Sequence, residues 1–278
     1  MSSLSGPDVL SADERAAIEA LVFPLADDEF VLAERYTEWQ VRAPTLESDL
    51  ALANVAQDEL GHARLWYDVV ADLGYDEPEL LFERDPDAFY HASLCALPFE
   101  TGDWADAVVR SYLYDTAEGL RLDSLAGSAY APIANRIERI TTEEEYHREH
   151  AATWIKRLCV DSEGRQTVQN AVDRLYPYAL ALFEPGEPTQ TDVIESLGLR
   201  TESLPSLRGQ WIQTTSTFFD SIDVSVPVVE LPQGLPEDPG RHDPHVAAWL
   251  SLYDDFTRTY RELDRAHTPT ITSEHNDG

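Results

Sequence analysis

The stretch LESDLALANVAQDELGHARLWYDVVADL, residues 46–73, decides the fold class. Its apolar residues recur at the spacing of one helical face, and Thr45 before it is a suitable N-cap, so it predicts a long amphipathic helix. Glu59 and His62 stand three residues apart within it. This spacing puts the two side chains about 300° apart around the helix, on one face and one turn apart. The pair is a candidate for metal binding.

A second Glu-x-x-His pair, Glu144 and His147, lies on another predicted helix at about Ile133–Cys159. Either pair alone is weak evidence for a metal site, because acidic helices contain such pairs by chance. The ordinary interpretation of a single pair is a solvated helix face. Two copies on two long helices favour a shared site, since paired helices of a bundle can aim both at one interior point.

Each pair has an acidic residue at nearly equal separation on the preceding predicted helix. Glu29 precedes Glu59 by thirty residues, and Asp115 precedes Glu144 by twenty-nine. In an antiparallel hairpin, residues equidistant from the turn lie at the same depth. The order carboxylate, Glu-x-x-His, carboxylate, Glu-x-x-His is the ligand set of carboxylate-bridged dimetal bundles. The predicted metal ligands are therefore Glu29, Glu59, His62, Asp115, Glu144 and His147.

Two of these assignments have alternatives. Glu34 and Glu118 also lie at consistent depth, and Asp115 and Glu118 are one turn apart on one face. We favour Glu29 and Asp115 as ligands and keep Glu34 and Glu118 as alternates.

Asp58 and Glu143 immediately precede the two ligand glutamates. Acids beside a metal site normally orient the second ring N–H of a ligand histidine. Both residues are candidates for this role, although solvated surface acids fit the pattern equally well.

The remaining pattern is helical throughout. Ser11 and Glu14 form a capping box for a first helix, which Pro24 ends or kinks. Asp103 is a plausible cap for the helix that carries Asp115. Further predicted segments are helices at about Leu25–Arg42, Asp87–Leu97, Asp103–Ala129, Gln166–Phe183, Leu204–Phe219 and His245–Leu263, and an extended loop at Val224–Pro244. We expect an all-α protein, a ferritin-like four-helix bundle with additional C-terminal helices.

The expected organisation is a short N-terminal helix within residues 1–24, a ferritin-like domain at 25–265 and a disordered tail at 266–278. The metal-binding core of that domain falls at about 25–160.

The chain of 278 residues carries 52 acidic and 20 basic residues, a net charge of -32. Such a charge repels a phosphate backbone and an anionic membrane surface, so nucleic-acid and membrane binding are not expected. Lys156 is the only lysine, and acids lie along most predicted helices. This pattern is typical of a salt-adapted, halophilic proteome, where salt screens the self-repulsion.

Two cysteines, Cys95 and Cys159, are too few for a disulfide scaffold or a thiolate cage. No run of eighteen apolar residues and no leader-like N-terminus occur, so we expect a cytoplasmic protein.

Four stretches carry a resemblance to a known family: RAPTL from Arg42, DLALANVAQDELGHARLWYDVV from Asp49, WADAVVRSYLYD from Trp104 and EEYHREHAATWIKRL from Glu144. They resemble the phenylacetate-degradation oxygenases, the A and C components of phenylacetyl-CoA epoxidase, over roughly Ala26–Phe183. The resemblance is closer to the C component.

The resemblance implies a subunit of a multicomponent monooxygenase that uses dioxygen to epoxidise the ring of phenylacetyl-CoA. In that family the A component carries the di-iron centre, and many C components have lost ligands and act as structural partners. Here every candidate ligand is retained. The implied cofactor is two iron ions, with manganese as an alternative.

The sequence has no glycine-rich dinucleotide loop and no cysteine cluster, so flavin, NAD and an iron–sulfur cluster are not expected. Other oxygenase subunits and a separate reductase are the expected partners, with an acyl-CoA as substrate. Arg35, Arg64 and Arg121 are scattered candidates for its phosphates. The alternatives are a non-catalytic structural subunit, or a ferritin-like iron-binding or peroxidase protein.

Overall fold

The computed structural model describes residues 4, 6–99, 104–228 and 247–263, and all regular structure in these ranges is helical. The helices are α1 (Ala12–Thr37), α2 (Leu46–Ala71), α3 (Ser93–Ala96), α4 (Trp104–Leu125), α5 (Ala131–Ala134), α6 (Ile137–Leu158), α7 (Ser162–Ala179), α8 (Thr191–Leu197), α9 (Leu204–Asp220) and α10 (Ala247–Glu262). The prediction of an all-α, ferritin-like bundle is confirmed.

Two of the predicted helix starts have the expected caps. The Ser11 side chain accepts a hydrogen bond from the Glu14 backbone N–H, and the Glu14 carboxylate accepts one from Ser11 in return. Thr45 accepts a hydrogen bond from the backbone N–H of Ser48. The predicted cap Asp103, the tail at 266–278 and most of the loop at Val224–Pro244 lie outside the described residues.

Pro24 does not end the first helix, and the two helices predicted around it are one continuous helix, α1. Pro24 is buried and packs closely against Gly186, where an added Cβ would lie 2.4 Å from the Pro24 Cγ. Tertiary packing therefore holds the chain helical across a residue that removes one backbone hydrogen bond.

The predicted helix at Asp87–Leu97 is reduced to α3 and a short turn at Pro86–Ala88. Two buried acids of α1 explain this difference. Asp27 accepts the backbone N–H of Tyr90 at 2.7 Å, and Asp28 accepts that of Ala92 at 2.6 Å. These carboxylates satisfy amide groups that a helix would otherwise pair internally, so the chain stays extended there.

The bundle consists of two helical hairpins, α1 with α2 and α4 with α6, with α7 and α9 packed against α4. Antiparallel packing of α2 against α6 follows from two cross-helix hydrogen bonds, Asp58 to His147 and His62 to Glu143. Residues further along α2 lie beside residues nearer the start of α6, which is the antiparallel arrangement. The middle of α2 thus faces the first half of α6.

The C-terminal helices are anchored by buried tryptophans. The indole N–H of Trp211 on α9 donates to the carbonyl of Leu113 at 3.0 Å. That of Trp249 on α10 donates to the carbonyl of Pro86 at 3.1 Å. These bonds satisfy the one polar group of each large apolar side chain.

Candidate metal centre

The six predicted ligands lie together in the bundle interior. Glu29 comes from α1, Glu59 and His62 from α2, Asp115 from α4, and Glu144 and His147 from α6. None is more than 2% exposed. Their ligand atoms form two groups, each within 4.8 Å: Glu29, Glu59, His62 and Glu144 in one, and Glu59, Asp115 and His147 in the other. Glu59 belongs to both groups, as a bridging carboxylate would.

The cluster contains many buried polar atoms without a hydrogen-bond partner. They are both carboxylate oxygens of Glu29, Glu59 and Glu144, the Oδ1 of Asp115, and the Nδ1 atoms of His62 and His147. Buried carboxylates in this condition are strongly unfavourable unless cations neutralise them. Four carboxylates and two imidazoles that converge in this way fit a pair of iron or manganese ions.

Both histidines turn the same ring nitrogen towards the carboxylates. The Nδ1 of His62 lies 3.3 Å from Glu144 Oε1 and 3.7 Å from Glu59 Oε2. The Nδ1 of His147 lies 3.6 Å from Glu59 Oε1. Nδ1 is therefore the nitrogen of each ring that is placed to bind a metal ion.

The opposite ring nitrogens are held by the acids that precede the two glutamates. The Nε2 of His62 lies 2.7 Å from Glu143 Oε2, and the Nε2 of His147 lies 3.2 Å from Asp58 Oδ2. An ionised carboxylate only accepts hydrogen bonds, so each Nε2 carries a proton. Each acid thus lies on the helix opposite the histidine that it orients.

Burial and mutual repulsion perturb the acids of the cluster. Burial raises the pKa of Glu59 well above its usual value, and the charges of Glu144 and Glu29 raise it further. Burial also raises the pKa of Asp115, with Glu144 adding to the effect. For Glu144 the two imidazoles outweigh burial and lower the pKa to about 2.

The pKa values of the two imidazoles are also raised, in their case by the neighbouring carboxylates. Burial works to lower the pKa of His147, but Glu144 and Asp115 outweigh it and raise that pKa to about 9. Burial likewise works to lower the pKa of His62. The carboxylates of Glu144, Glu29 and Glu59 outweigh it and raise that pKa well above its usual range. Protons and metal ions therefore compete for this cluster.

The two alternates lie outside both ligand groups. Glu118 is engaged by Arg121, whose Nε donates to Glu118 Oε2 at 2.6 Å and whose Nη1 donates to Asp28 Oδ2 at 2.6 Å. Burial raises the pKa of Glu118 to about 8 against the opposing charge of Arg121. Glu34 is half-buried. It lies about 140° around α1 from Glu29, so it cannot share the inner face.

One contact of the cluster was not predicted. The Ser111 hydroxyl donates to Asp115 Oδ2 at 2.7 Å and so fixes the carboxylate rotamer. Ser111 stands four residues before Asp115, a spacing that brings the two side chains together on a helix. This spacing is the sequence feature from which the contact could have been predicted.

The fold and the cluster together define a ferritin-like helical protein with a buried carboxylate–histidine centre. The chain belongs to the phenylacetic acid catabolic protein family, PaaA/PaaC, whose profile matches residues 1–268. The predicted family resemblance is thereby confirmed.

Two relatives come from Escherichia coli (strain K12), and both are components of 1,2-phenylacetyl-CoA epoxidase. The chain is 33% identical to the C component over 174 residues, which are 61% of this chain and 69% of that protein. It is 26% identical to the A component over 196 residues, which are 69% of this chain and 63% of that protein.

No helix within the described ranges combines the length and apolar character that a membrane span requires.

Proposed function

We propose that this chain is a metal-binding subunit of a multicomponent di-iron monooxygenase that epoxidises the ring of an aromatic acyl-CoA, with phenylacetyl-CoA as the expected substrate. The observation that carries the proposal is the set of converging, unpartnered ligand atoms on Glu29, Glu59, His62, Glu144 and His147. The family match and the epoxidase relatives supply the reaction class.

The chain's own residues would bind, orient and shield the centre. Glu29, Glu59, His62 and Glu144 would hold one ion, and Glu59, Asp115 and His147 would hold the other. Asp58 and Glu143 hold the rings in the tautomer whose Nδ1 lone pair faces inward. Two iron ions held there would supply redox chemistry for the activation of dioxygen.

Partner proteins would supply what this chain lacks for turnover. Electrons would come from a separate reductase. Two of the arginines considered for the CoA phosphates are already engaged: Arg35 binds Glu38 and the carbonyl of Ala96, and Arg121 binds Asp28. A partner protein is therefore the expected source of the basic groove.

A second candidate function is a structural subunit that supports a related catalytic chain. It is favoured by the higher identity to the C component than to the A component of the epoxidase. The retained ligands favour the metal-binding role, because all six remain at positions where a purely structural chain needs none of them.

One assay separates the two functions. The complex, purified through a tag on this chain, is given reductant, dioxygen and phenylacetyl-CoA, and the ring-oxidised product is measured by mass spectrometry. We expect His62→Ala/His147→Ala to abolish the product while the complex still assembles. Full product formation by that variant complex would instead assign catalysis to another subunit. If the wild-type complex forms no ring-oxidised product but consumes added hydrogen peroxide with the reductant, the chain is a peroxidase.

A further inference from the structure

A metal ion must cross the protein to reach the centre, because Glu29, Glu59, His62 and His147 are fully buried. The side between α2 and α6 is closed by the two imidazole rings, whose centroids are 6.2 Å apart. Their hydrogen bonds to surface acids seal it further. Passage there would require both of these bonds to break.

The side between α4 and α6 is different, because an opening there reaches the ligands. Asp115 and Glu144 form its floor, and the exposed residues Asp123 and Glu145 lie at its rim. Gly119 is half-buried and lies between the floor and the rim of the opening. Exposure thus falls steadily from the rim of this opening to the metal ligands.

The walls of the opening offer oxygen atoms to a cation. Asp115 Oδ1 and both Glu144 oxygens are buried without hydrogen-bond partners, and so is the Thr141 hydroxyl on the wall. Oxygen atoms are the ligands that a partly hydrated divalent cation accepts most readily as it sheds water. The floor of the opening is therefore the first pair of ligands that an incoming ion would meet.

From this geometry, and resting on the function proposed above, we propose that the opening between α4 and α6 is the route by which divalent metal ions load the centre. Asp123 and Glu145 attract the ion at the rim. Arg148, which also lines the opening, repels it. Because these charges are opposite, removing a rim acid and removing Arg148 should change the rate of metal loading in opposite directions.

Gly119 keeps the passage open. A Cβ added there would lie 3.8 Å from Arg148 Nη1, an ordinary contact distance, so alanine fits. A leucine at this position would project its larger side chain into the opening. Both substitutions favour the helix over glycine, so they form a matched pair.

The experiment measures loading and not turnover. Metal-stripped, full-length protein is mixed with Co²⁺ at low ionic strength, and the visible absorption of bound Co²⁺ is followed by stopped flow. We expect Gly119→Leu to load at least about tenfold more slowly than Gly119→Ala, with the same final absorbance. We expect Glu145→Gln to slow loading and Arg148→Gln to speed it, each roughly two- to fivefold.

The controls test electrostatics and position. Glu163→Gln removes an equal charge from the exposed start of α7, which does not line the opening, and should load at the wild-type rate. At about 1 M salt the Debye length is about 3 Å, so the rates of the charge variants should converge.

Two results would overturn the route. One is equal loading rates for Gly119→Leu and Gly119→Ala, and the other is equal rates for Glu145→Gln and Arg148→Gln at low salt. Failure of the proposed function looks different: the wild-type protein itself would then bind no Co²⁺ at the cluster.

Discussion

The Nε2 of His62 on α2 lies 2.7 Å from the carboxylate of Glu143 on α6. Glu143 directly precedes Glu144, so α6 places one acid on the ring of His62 and the next on the inward side of the same ring. The pair Asp58 and His147 repeats the arrangement in the opposite direction. Two neighbouring acids on one helix thus have separate positions, one holding the ring from outside and one facing the buried carboxylate cluster.

The hydrogen bonds that the histidine rings donate to Glu143 and Asp58 should strengthen metal binding, although neither acid is a predicted ligand. We expect Glu143→Gln to weaken metal binding about 10- to 100-fold, because the ring loses its charged partner. Competition with a chelator of known affinity measures the change. Glu149→Gln, an exposed acid two residues beyond His147, is the matched control and should bind metal as the wild type does.

The choice between Asp115 and Glu118 can be tested by metal content. We expect Asp115→Asn to lower the bound metal below two ions per chain, because its carboxylate lies in one ligand group with Glu59 and His147. Glu118→Gln should retain both ions, since Glu118 is engaged by Arg121. If Glu118→Gln loses metal and Asp115→Asn does not, the assignment is reversed.

Sequence spacing selected six candidate ligands that lie together in the structure, but it left the choice between Asp115 and Glu118 open. The Glu-x-x-His pairs were visible because helical periodicity alone places both side chains on one face. Asp115 and Glu118 share a face too, so periodicity could not separate them. Arg121, which engages Glu118, is itself bound by Asp28, and Asp28 is 93 residues from Arg121 in sequence.

Tertiary contacts also explain the helix boundaries that the sequence misplaced. Pro24 has the local chemistry of a helix end, but its packing against Gly186 lies beyond any local pattern. For the same reason the sequence named Asp58 and Glu143 as orienting acids without showing which histidine each one holds.

The buried pair of acids around Arg121 should make that residue important for stability. Arg121→Leu leaves Glu118 and Asp28 buried without their cation, and we expect the free energy of unfolding to fall by about 3–5 kcal/mol. Arg15→Leu, which removes a largely exposed pair with Glu19, should cost less than about 1 kcal/mol. Urea unfolding followed by circular dichroism measures both changes, and equal effects would contradict the interpretation of a buried network.

The metal-stripped protein should lose stability as the pH rises. The pKa of His147 is raised to about 9 in the folded chain from an ordinary value of about 6.5. A proton held more tightly by the folded state stabilises it fully below about pH 6.5, and this contribution disappears as the pH rises to about 9. We expect a loss on the order of 3 kcal/mol across that window.

Urea midpoints at several pH values measure this loss. His147→Gln removes one of the two imidazoles whose pKa is raised and should make the slope shallower, with His62 responsible for the remainder. Saturation with metal should flatten it too, because the ion replaces the proton. An equally steep slope in His147→Gln would show that other groups are responsible.

The central claim is that six side chains from four helices hold two metal ions. The most direct measurement is the iron content of protein purified without oxygen, together with its Mössbauer spectrum. We predict about two irons per chain with the spectrum of an exchange-coupled pair after oxidation, and loss of both in His62→Ala/His147→Ala. Iron content that is the same in the wild type and that variant, or a spectrum of isolated single ions, would contradict the claim.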